Sequence, residues 1–242
     1  MDATVLTKPA RKLLNVKLKR CGAVIVAAGS ASRMGGIDKV MAELGGEPMI
    51  ARTVRTFESC DAISEIVVVT REDLILPITR LCAGMPKVKA VIVGGKSRQE
   101  SVHLGLNALS SKVKLAAIHD GARPLITWQL IDWVVRAANT YGAAAPAIPV
   151  KDTIKEVQGG IVKGTPDRSA LRAVQTPQVF DFDLIRGALK KAQEEGAELT
   201  DDCSAVERMG MSVKIVEGDE RNLKVTTPMD LKIAGMLLEE ME

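Results

Sequence analysis

Aromatic side chains are rare in this chain of 242 residues, which has two Trp, one Tyr and three Phe. Proteins that bind single-stranded nucleic acid stack bases on aromatic side chains, and these are too few for such a surface. Of the 33 Lys and Arg, 27 lie after residue 20, as do 29 of the 30 Asp and Glu. The net positive charge of the chain therefore comes from the first twenty residues. The sequence predicts no nucleic-acid partner.

Cysteine and histidine are also scarce, and their spacing is not that of metal ligands. The chain has two His and no Cys-x-x-Cys, and its four cysteines are far apart, at Cys21, Cys60, Cys82 and Cys203. Zinc sites and disulfide frameworks both need clustered residues of these types. We therefore expect reduced thiols and a cytoplasmic protein.

Long hydrophobic runs are absent as well, since none approaches the roughly 18 residues of a membrane-spanning helix. Residues 1–20 lack the apolar core and the small-residue cleavage site of a secretory signal. We expect no membrane partner. The composition, 46% apolar and 26% charged, suits one large domain over residues 22–242 that follows a basic N-terminal extension over residues 1–21.

Apolar runs alternate with helical segments along most of the chain. Ser97 with Glu100, and Thr227 with Asp230, have the spacing of capping boxes and mark two helix starts. Such alternation is typical of a doubly wound α/β fold with a mostly parallel sheet. The runs that predict strands are residues 23–28, 66–70, 89–93, 115–119, 143–150 and 213–216.

Residues 151–165 interrupt this alternation. Two short β-like runs flank Gly159 and Gly160, a pair suited to the positive φ angles of a hairpin turn. A two-stranded hairpin alone is marginally stable in water, so we expect a projecting β-hairpin arm that packs on a second subunit. The alternative is a hairpin folded back on its own domain.

The first predicted strand leads into a glycine loop with two cations. Gly29 follows the apolar residues 23–28 where the chain must turn off the strand, and Arg33 and Lys39 come next. Ligands of open α/β sheets bind at the carboxyl ends of strands, and amides beside a guanidinium and an ammonium suit a polyphosphate. The loop has neither the Walker pattern nor the dinucleotide fingerprint. It predicts another kind of nucleotide site, with an ordinary turn bearing scattered cations as the alternative.

Asp120 is the best candidate for a magnesium ligand. It follows the apolar run 115–119 and precedes Gly121. Mg²⁺ takes one or two carboxylates and completes its shell with water and substrate phosphate oxygens, so one Asp at a strand end is sufficient. Asp-Gly is also a common turn pair, and this second interpretation stays open.

The order of the polar segments resembles that of one protein family. Over residues 22–237 the chain resembles the 2-C-methyl-D-erythritol 4-phosphate cytidylyltransferases of the non-mevalonate isoprenoid pathway. The resemblance implies a Rossmann-like homodimer with an interlocking arm. The segments that carry it are Ala27-Ala28-Gly29 with Arg33 and Lys39, Gly94-Gly95 with Arg98 and Ser101, His119-Asp120 with Arg123, Asp152-Thr153, Asp167-Arg168 with Gln175-Thr176-Pro177-Gln178, Thr200-Asp201, and Lys224-Val225-Thr226.

The resemblance also implies a reaction and the residues that take part in it. A nucleotidyltransferase of this family, with Mg²⁺ as cofactor, transfers CMP from CTP to 2-C-methyl-D-erythritol 4-phosphate and releases pyrophosphate. Arg33 and Lys39 match the catalytic cations, and Asp120 matches the metal position. The positions that match CTP contacts are Ala27, Ala28, Gly29, Gly95, Ser101 and Lys224. Those that match acceptor contacts are Asp120, Arg123, Thr153, Arg168, Thr176 and Thr200, and at least one of Thr153 and Arg168 is supplied by the partner's arm.

Two other functions stay open at this point. A cytidylyltransferase for another polyol phosphate, such as ribitol 5-phosphate, would have a similar nucleotide half, although the segment from Asp167 to Gln178 favours methylerythritol phosphate. The other is a non-catalytic nucleotide-binding module, and the joint presence of Arg33, Lys39 and Asp120 argues against it. Few residues follow the last motif, so we expect no second enzyme fused to this domain.

Overall fold

The structure is a computed structural model that describes residues 16–29 and 38–241. Most of the predicted extension and Arg33 lie outside the described residues. In chain order the helices and strands are β1 (Cys21–Ala27), β2 (Glu43–Leu44), β3 (Glu47–Pro48), α1 (Met49–Ser59), β4 (Ile63–Thr70), α2 (Ile75–Leu81), β5 (Val88–Val93), α3 (Arg98–Ala108), β6 (Leu115–Asp120), α4 (Trp128–Tyr141), β7 (Ala143–Pro149), β8 (Glu156–Gln158), β9 (Ile161–Gly164), β10 (Arg172–Val174), β11 (Gln178–Asp181), α5 (Phe182–Glu194), α6 (Asp202–Arg208), β12 (Lys214–Glu217) and α7 (Pro228–Glu239).

The main sheet has the strand order β10-β7-β11-β6-β1-β4-β5, and β12 also pairs with β7. β1 runs parallel to β4 and β6, and β4 runs parallel to β5. β11 is antiparallel to β6 and β7. The parallel strands β5, β4, β1 and β6 therefore end at the same edge. This confirms the predicted α/β fold with a mostly parallel sheet.

The central strand β1 is apolar and nearly fully buried along its length, and so is β4 from Ile66 to Val69, because helices cover both faces of the sheet there. Ile25 of β1 belongs to a buried cluster with side chains of α1 and α4. Val24, on the opposite face, belongs to a second cluster with side chains of α3 and α5. A Cβ on Gly105 of α3 would lie 2.3 Å from Val24 Cγ1. Glycine there lets α3 lie close against β1, which places the N-terminus of α3 next to the strand ends.

The predicted arm is a hairpin of β8 and β9 that forms a two-stranded sheet of its own. Gly159 has φ 58° and Gly160 has φ 78°, which confirms the predicted turn. Val157, Ile161 and Val162 are exposed. Because these apolar side chains face solvent, a hairpin folded back on its own domain is not favoured.

The two predicted helix starts differ in their capping. At α7, Thr227 and Asp230 form the reciprocal capping box that the sequence predicts, with Pro228 at the first helical position. At α3, the Ser97 side chain accepts from the Glu100 amide. A capping box would also need the Glu100 side chain to accept from the Ser97 amide. This part of the prediction is wrong, because the Glu100 carboxylate accepts from the Lys96 amide instead. Among the described residues, no helix is long and apolar enough to cross a membrane.

Candidate active site

A cavity of about 400 Å³ opens at the ends of β1, β5 and β6. This is the edge where ligands of open α/β sheets bind, and the volume is within the range of small-molecule sites. The structure brings eight of the predicted site residues to its wall: Ala27, Ala28, Gly29, Lys39, Gly95, Ser101, Asp120 and Lys224. The other lining residues are Val26, Val40, Lys96, Ser97, Arg98 and Ala122.

One wall is formed where the loop after β1 packs against the loop between β5 and α3. A Cβ on Gly94 would lie 2.6 Å from Ala28 Cβ and 2.8 Å from Ser101 Oγ, so only glycine allows this approach. Ser101 Oγ accepts from the Gly95 amide at 3.1 Å and donates to the Ser97 carbonyl at 2.9 Å. The buried Ser101 hydroxyl therefore holds Gly95 in place at the wall.

Gly29 follows this wall at the end of β1. Its φ is not positive, and a Cβ added to it would meet none of the described atoms within 4 Å. The turn after β1 therefore does not place Gly29 in the left-handed region that favours glycine. Gly29 lines the cavity, so a ligand there can approach a backbone that carries no side chain.

Three cations surround the Asp120 carboxylate. Lys224 Nζ lies 2.8 Å from Oδ2, Arg98 Nε lies 3.4 Å from Oδ1, and Arg123 Nε lies 3.9 Å from Oδ2. Burial disfavours the charged carboxylate, but the attraction of Arg98, Lys224 and Arg123 outweighs burial and holds the pKa of Asp120 well below its usual range. Asp120 is therefore a carboxylate at physiological pH.

The segment that carries Lys224 is fixed by buried hydrogen bonds. The Val225 amide donates to the Ala122 carbonyl at 2.8 Å, and Asn222 Nδ2 donates to the Thr176 carbonyl at 2.9 Å. Asn222 is fully buried. These bonds join the chain before α7 to the loops after β6 and β10, so the Lys224 ammonium is brought to Asp120.

Thr176 lies behind Asp120 rather than on the cavity wall. The Asp120 amide donates to Thr176 Oγ1 at 3.1 Å, and the same oxygen lies 3.1 Å from His119 Nδ1. Burial lowers the pKa of His119 to about 3, so its imidazole is neutral at physiological pH. Thr176 and His119 therefore support Asp120 from the protein interior.

Arg98 is a cavity residue to which the sequence patterns assign no role, although it lies in one of the predicted motifs. It is the first residue of α3, and its Nη2 lies 2.7 Å from Asp202 Oδ2. Burial raises the pKa of the Asp202 carboxyl, and the attraction of Arg98 opposes that rise. The sequence signals at this position are its place in the motif with Gly94-Gly95 and its place directly after the N-cap Ser97.

The profile of the family described as IspD, 2-C-methyl-D-erythritol 4-phosphate cytidylyltransferase, matches residues 21–240. The chain belongs to this family. Two relatives of that name, from Symbiobacterium thermophilum and Geobacillus kaustophilus, are 46% and 47% identical over 220 and 219 residues. The alignments cover 90% and 89% of this chain and 92% and 96% of those proteins.

Solved structures of the cytidylyltransferase family share the fold. The 4-diphosphocytidyl-2C-methyl-D-erythritol synthase of Anaerococcus prevotii has a TM-score of 0.82 at 32% identity and covers 91% of this chain and 96% of its own. The 2-C-methyl-D-erythritol 4-phosphate cytidylyltransferase of Thermus thermophilus has a TM-score of 0.75 at 32% identity, over 89% of this chain and 98% of its own.

The remaining acceptor positions that the cytidylyltransferase resemblance implies do not line the cavity. Thr153 and Arg168 are exposed beside the arm, where Arg168 donates to the Lys151 carbonyl. Thr200 is exposed just before α6. Arg123 is mostly buried, and its Nη1 donates to the Asn222 carbonyl at 2.6 Å. Their contacts with an acceptor stay predictions.

Asp120 fits the magnesium site expected of this cytidylyltransferase. Its carboxylate is ionised and lies on the cavity wall. The described residues contain no group of three or more metal-ligating side chains, so an ion there would depend on substrate phosphate oxygens and water, as Mg²⁺ commonly does. It would share the carboxylate with Lys224 and Arg98.

Proposed function

We propose that the protein transfers CMP from CTP to 2-C-methyl-D-erythritol 4-phosphate, giving 4-diphosphocytidyl-2-C-methyl-D-erythritol and pyrophosphate. The observation that carries this proposal is the cationic wall around an ionised Asp120, formed by Lys224 and Arg98 in a cavity that Lys39 also lines. In a chain that belongs to the cytidylyltransferase family, this wall suits a nucleoside triphosphate.

In the proposed reaction an oxygen of the acceptor phosphate attacks the α-phosphorus of CTP. The bond from that phosphorus to the oxygen bridging toward the β-phosphate breaks, and pyrophosphate leaves with the bonding electrons. Both reactants are anionic, so catalysis consists mainly of positioning and of neutralising charge. Lys39 and Lys224 are suited to that role, as is the guanidinium of Arg33.

The reaction needs no general base. The acceptor phosphate is already ionised at neutral pH, so no proton has to be removed before it attacks. His119 is buried and neutral, with its ring nitrogens next to Thr176 and the Arg123 carbonyl. Mg²⁺ held by Asp120 would neutralise charge on the phosphate oxygens that bind it.

We also propose that the protein is a cytoplasmic homodimer joined through the arm. Val157, Ile161 and Val162 expose apolar surface on a hairpin that is marginal by itself, and a second copy of the chain would cover it. Thr153 and Arg168 at the base of the arm would then reach the partner's cavity. The buried, unpaired state of all four cysteines suits a reducing compartment.

The function is tested by measuring pyrophosphate release from CTP and Mg²⁺ with methylerythritol phosphate and ribitol 5-phosphate as competing acceptors. Preference for methylerythritol phosphate supports the proposal. Preference for ribitol 5-phosphate would keep the nucleotide chemistry and overturn the acceptor. CTP binding without release in either case would instead support a non-catalytic module.

The dimer is tested by light scattering after size-exclusion chromatography. The wild-type mass should be twice that of the chain. Ile161→Asp places a charge on the apolar arm and should yield monomers, whereas Lys190→Asp, an exposed change on α5, should not. A monomeric wild type would contradict the proposed dimer.

A further inference from the structure

Arg98 links the cavity to a carboxylate that is not on the cavity wall. The Arg98 Nε atom lies 3.4 Å from Asp120 Oδ1, and Nη2 of the same guanidinium lies 2.7 Å from Asp202 Oδ2. The Asp202 side chain is only 2% exposed. A carboxylate this deeply buried needs a cationic partner, and Arg98 is that partner.

The backbone at Asp202 is hydrogen-bonded to the side chain of Gln178 in the main sheet. Gln178 Oε1 accepts from the Asp202 amide at 3.0 Å and from the amide of the next residue at the same distance. Gln178 Nε2 donates to Asp201 Oδ2 at 2.8 Å. Gln178 begins β11 and pairs with Ile118 of β6, two residues before Asp120. The N-terminus of α6 is therefore fixed with respect to the end of β6.

Arg98 is held by a buried carboxylate, Asp202, on one side and faces the cavity on another. A long arginine side chain loses many rotamers when it is ordered, and a second carboxylate on the cavity wall would repel a triphosphate. Asp202 orders the guanidinium from behind the wall, so the negative charge of the anchor does not face the cavity. Arg98 remains a lining residue. Because Nε and Nη2 reach the two carboxylates, Nη1 and the second hydrogen of Nη2 are the donors left for phosphate oxygens.

We propose that Asp202 is a positioning residue for the nucleotide site, holding the Arg98 guanidinium on the cavity wall where it contacts the phosphates of CTP. The inference rests on the proposed function. It assigns Arg98 to substrate contact and Asp202 to the orientation of Arg98.

The test compares Asp202→Asn, Arg98→Ala and the double variant by their separate kcat and KM values for CTP. Asp202→Asn should raise KM for CTP about tenfold, a loss typical of removing a supporting contact, while kcat changes little. In the Arg98→Ala background the same change should have almost no further effect, because residues that act as one unit are not additive. Glu207→Gln, the same acid-to-amide change at the exposed end of α6, is the matched control and should behave as wild type.

Two results would overturn the proposal. One is a lower melting temperature for Asp202→Asn with wild-type KM and kcat per folded protein, which would make Asp202 purely structural. The other is an equal rise in KM in both backgrounds. If Asp202→Asn does not fold, Arg98→Lys keeps the charge but loses the fork that reaches both carboxylates, and a wild-type KM for that variant would refute the proposal.

Failure of the proposed function would be recognised separately. If the wild type releases no pyrophosphate, the dissociation constant of CTP measured by calorimetry provides the same comparison of variants without turnover. Weaker binding by Asp202→Asn, absent in the Arg98→Ala background, would still support the positioning role. Equal binding by wild type and Asp202→Asn, or no binding by the wild type, would contradict it.

Discussion

Replacement of Lys224 by alanine should reduce activity far more than stability. The ammonium lies 2.8 Å from Asp120 Oδ2, and the lysine side chain is 40% exposed. Two charges at this distance interact by about 1.5 kcal/mol in water, and exposed pairs contribute about 0 to 1 kcal/mol once ordering and screening are counted. Asp120 also keeps Arg98 and Arg123. We expect the free energy of unfolding to fall by less than about 1 kcal/mol.

The effect of Lys224→Ala on catalysis should be much larger, because the lysine lines the cavity in which charge develops on the phosphates. Removing one preorganised stabiliser of this kind typically lowers kcat by about 10² to 10³. Since each factor of ten corresponds to about 1.4 kcal/mol of barrier, the predicted loss is roughly 3 to 4 kcal/mol. This greatly exceeds the expected change in stability.

The assay is steady-state pyrophosphate release, combined with urea unfolding of the same samples. Lys190→Ala is the matched control, because Lys190 is an exposed lysine 3.7 Å from Glu194 on α5. It should leave both measurements unchanged. A wild-type kcat for Lys224→Ala would refute the role of Lys224 at the reacting phosphates. A large stability loss with full activity per folded molecule would show that its role is structural.

Three further predictions concern other parts of the site. Lys39→Ala should lower kcat by about 100-fold or more in the same assay, and wild-type turnover would contradict its role. Gly29→Ala should keep the melting temperature and weaken CTP binding in calorimetry, whereas Gly94→Ala, whose Cβ would lie 2.6 Å from Ala28 Cβ, should lower the melting temperature; equal melting temperatures would contradict this packing. His119 has its pKa lowered to about 3 by burial, so only the unfolded state binds a proton below about pH 6.5, and the free energy of unfolding should fall by up to about 1.4 kcal/mol per pH unit as the pH decreases toward 4. The slope from urea unfolding at pH 5 and 6 should be smaller in His119→Gln, and equal slopes would count against a neutral buried His119.

The sequence predicts the parallel strands well and the short antiparallel strands poorly. β1 is a continuous apolar run, as is β4 from Ile66 to Val69, and burial on both faces requires such runs. β10 and β11 are three and four residues long and begin with Arg172 and Gln178. Their pairing with β7 and β6 makes them strands, and that tertiary pairing has no signal in so short a stretch.

The same distinction applies to the site. Residues at the carboxyl ends of parallel strands, such as Ala28 after β1 and Asp120 at the end of β6, are brought together by the topology itself, so their order along the chain predicts one cavity. The Arg98–Asp202 contact joins residues that are far apart in sequence. It depends on where the start of α6 lies in the fold, and the bonds to Gln178 fix that place. Thr176 is predicted as an acceptor contact but lies behind Asp120, because the direction of the loop before β11 is not encoded by a local motif.

The most direct test of the proposed reaction uses CTP radiolabelled at the α-phosphate, incubated with Mg²⁺, methylerythritol phosphate and the wild-type protein. Attack at the α-phosphorus predicts that all transferred label appears in the cytidine diphosphate ester product and none in the released pyrophosphate. Label in pyrophosphate or inorganic phosphate, or no transfer at all, would contradict cytidylyl transfer in this cavity.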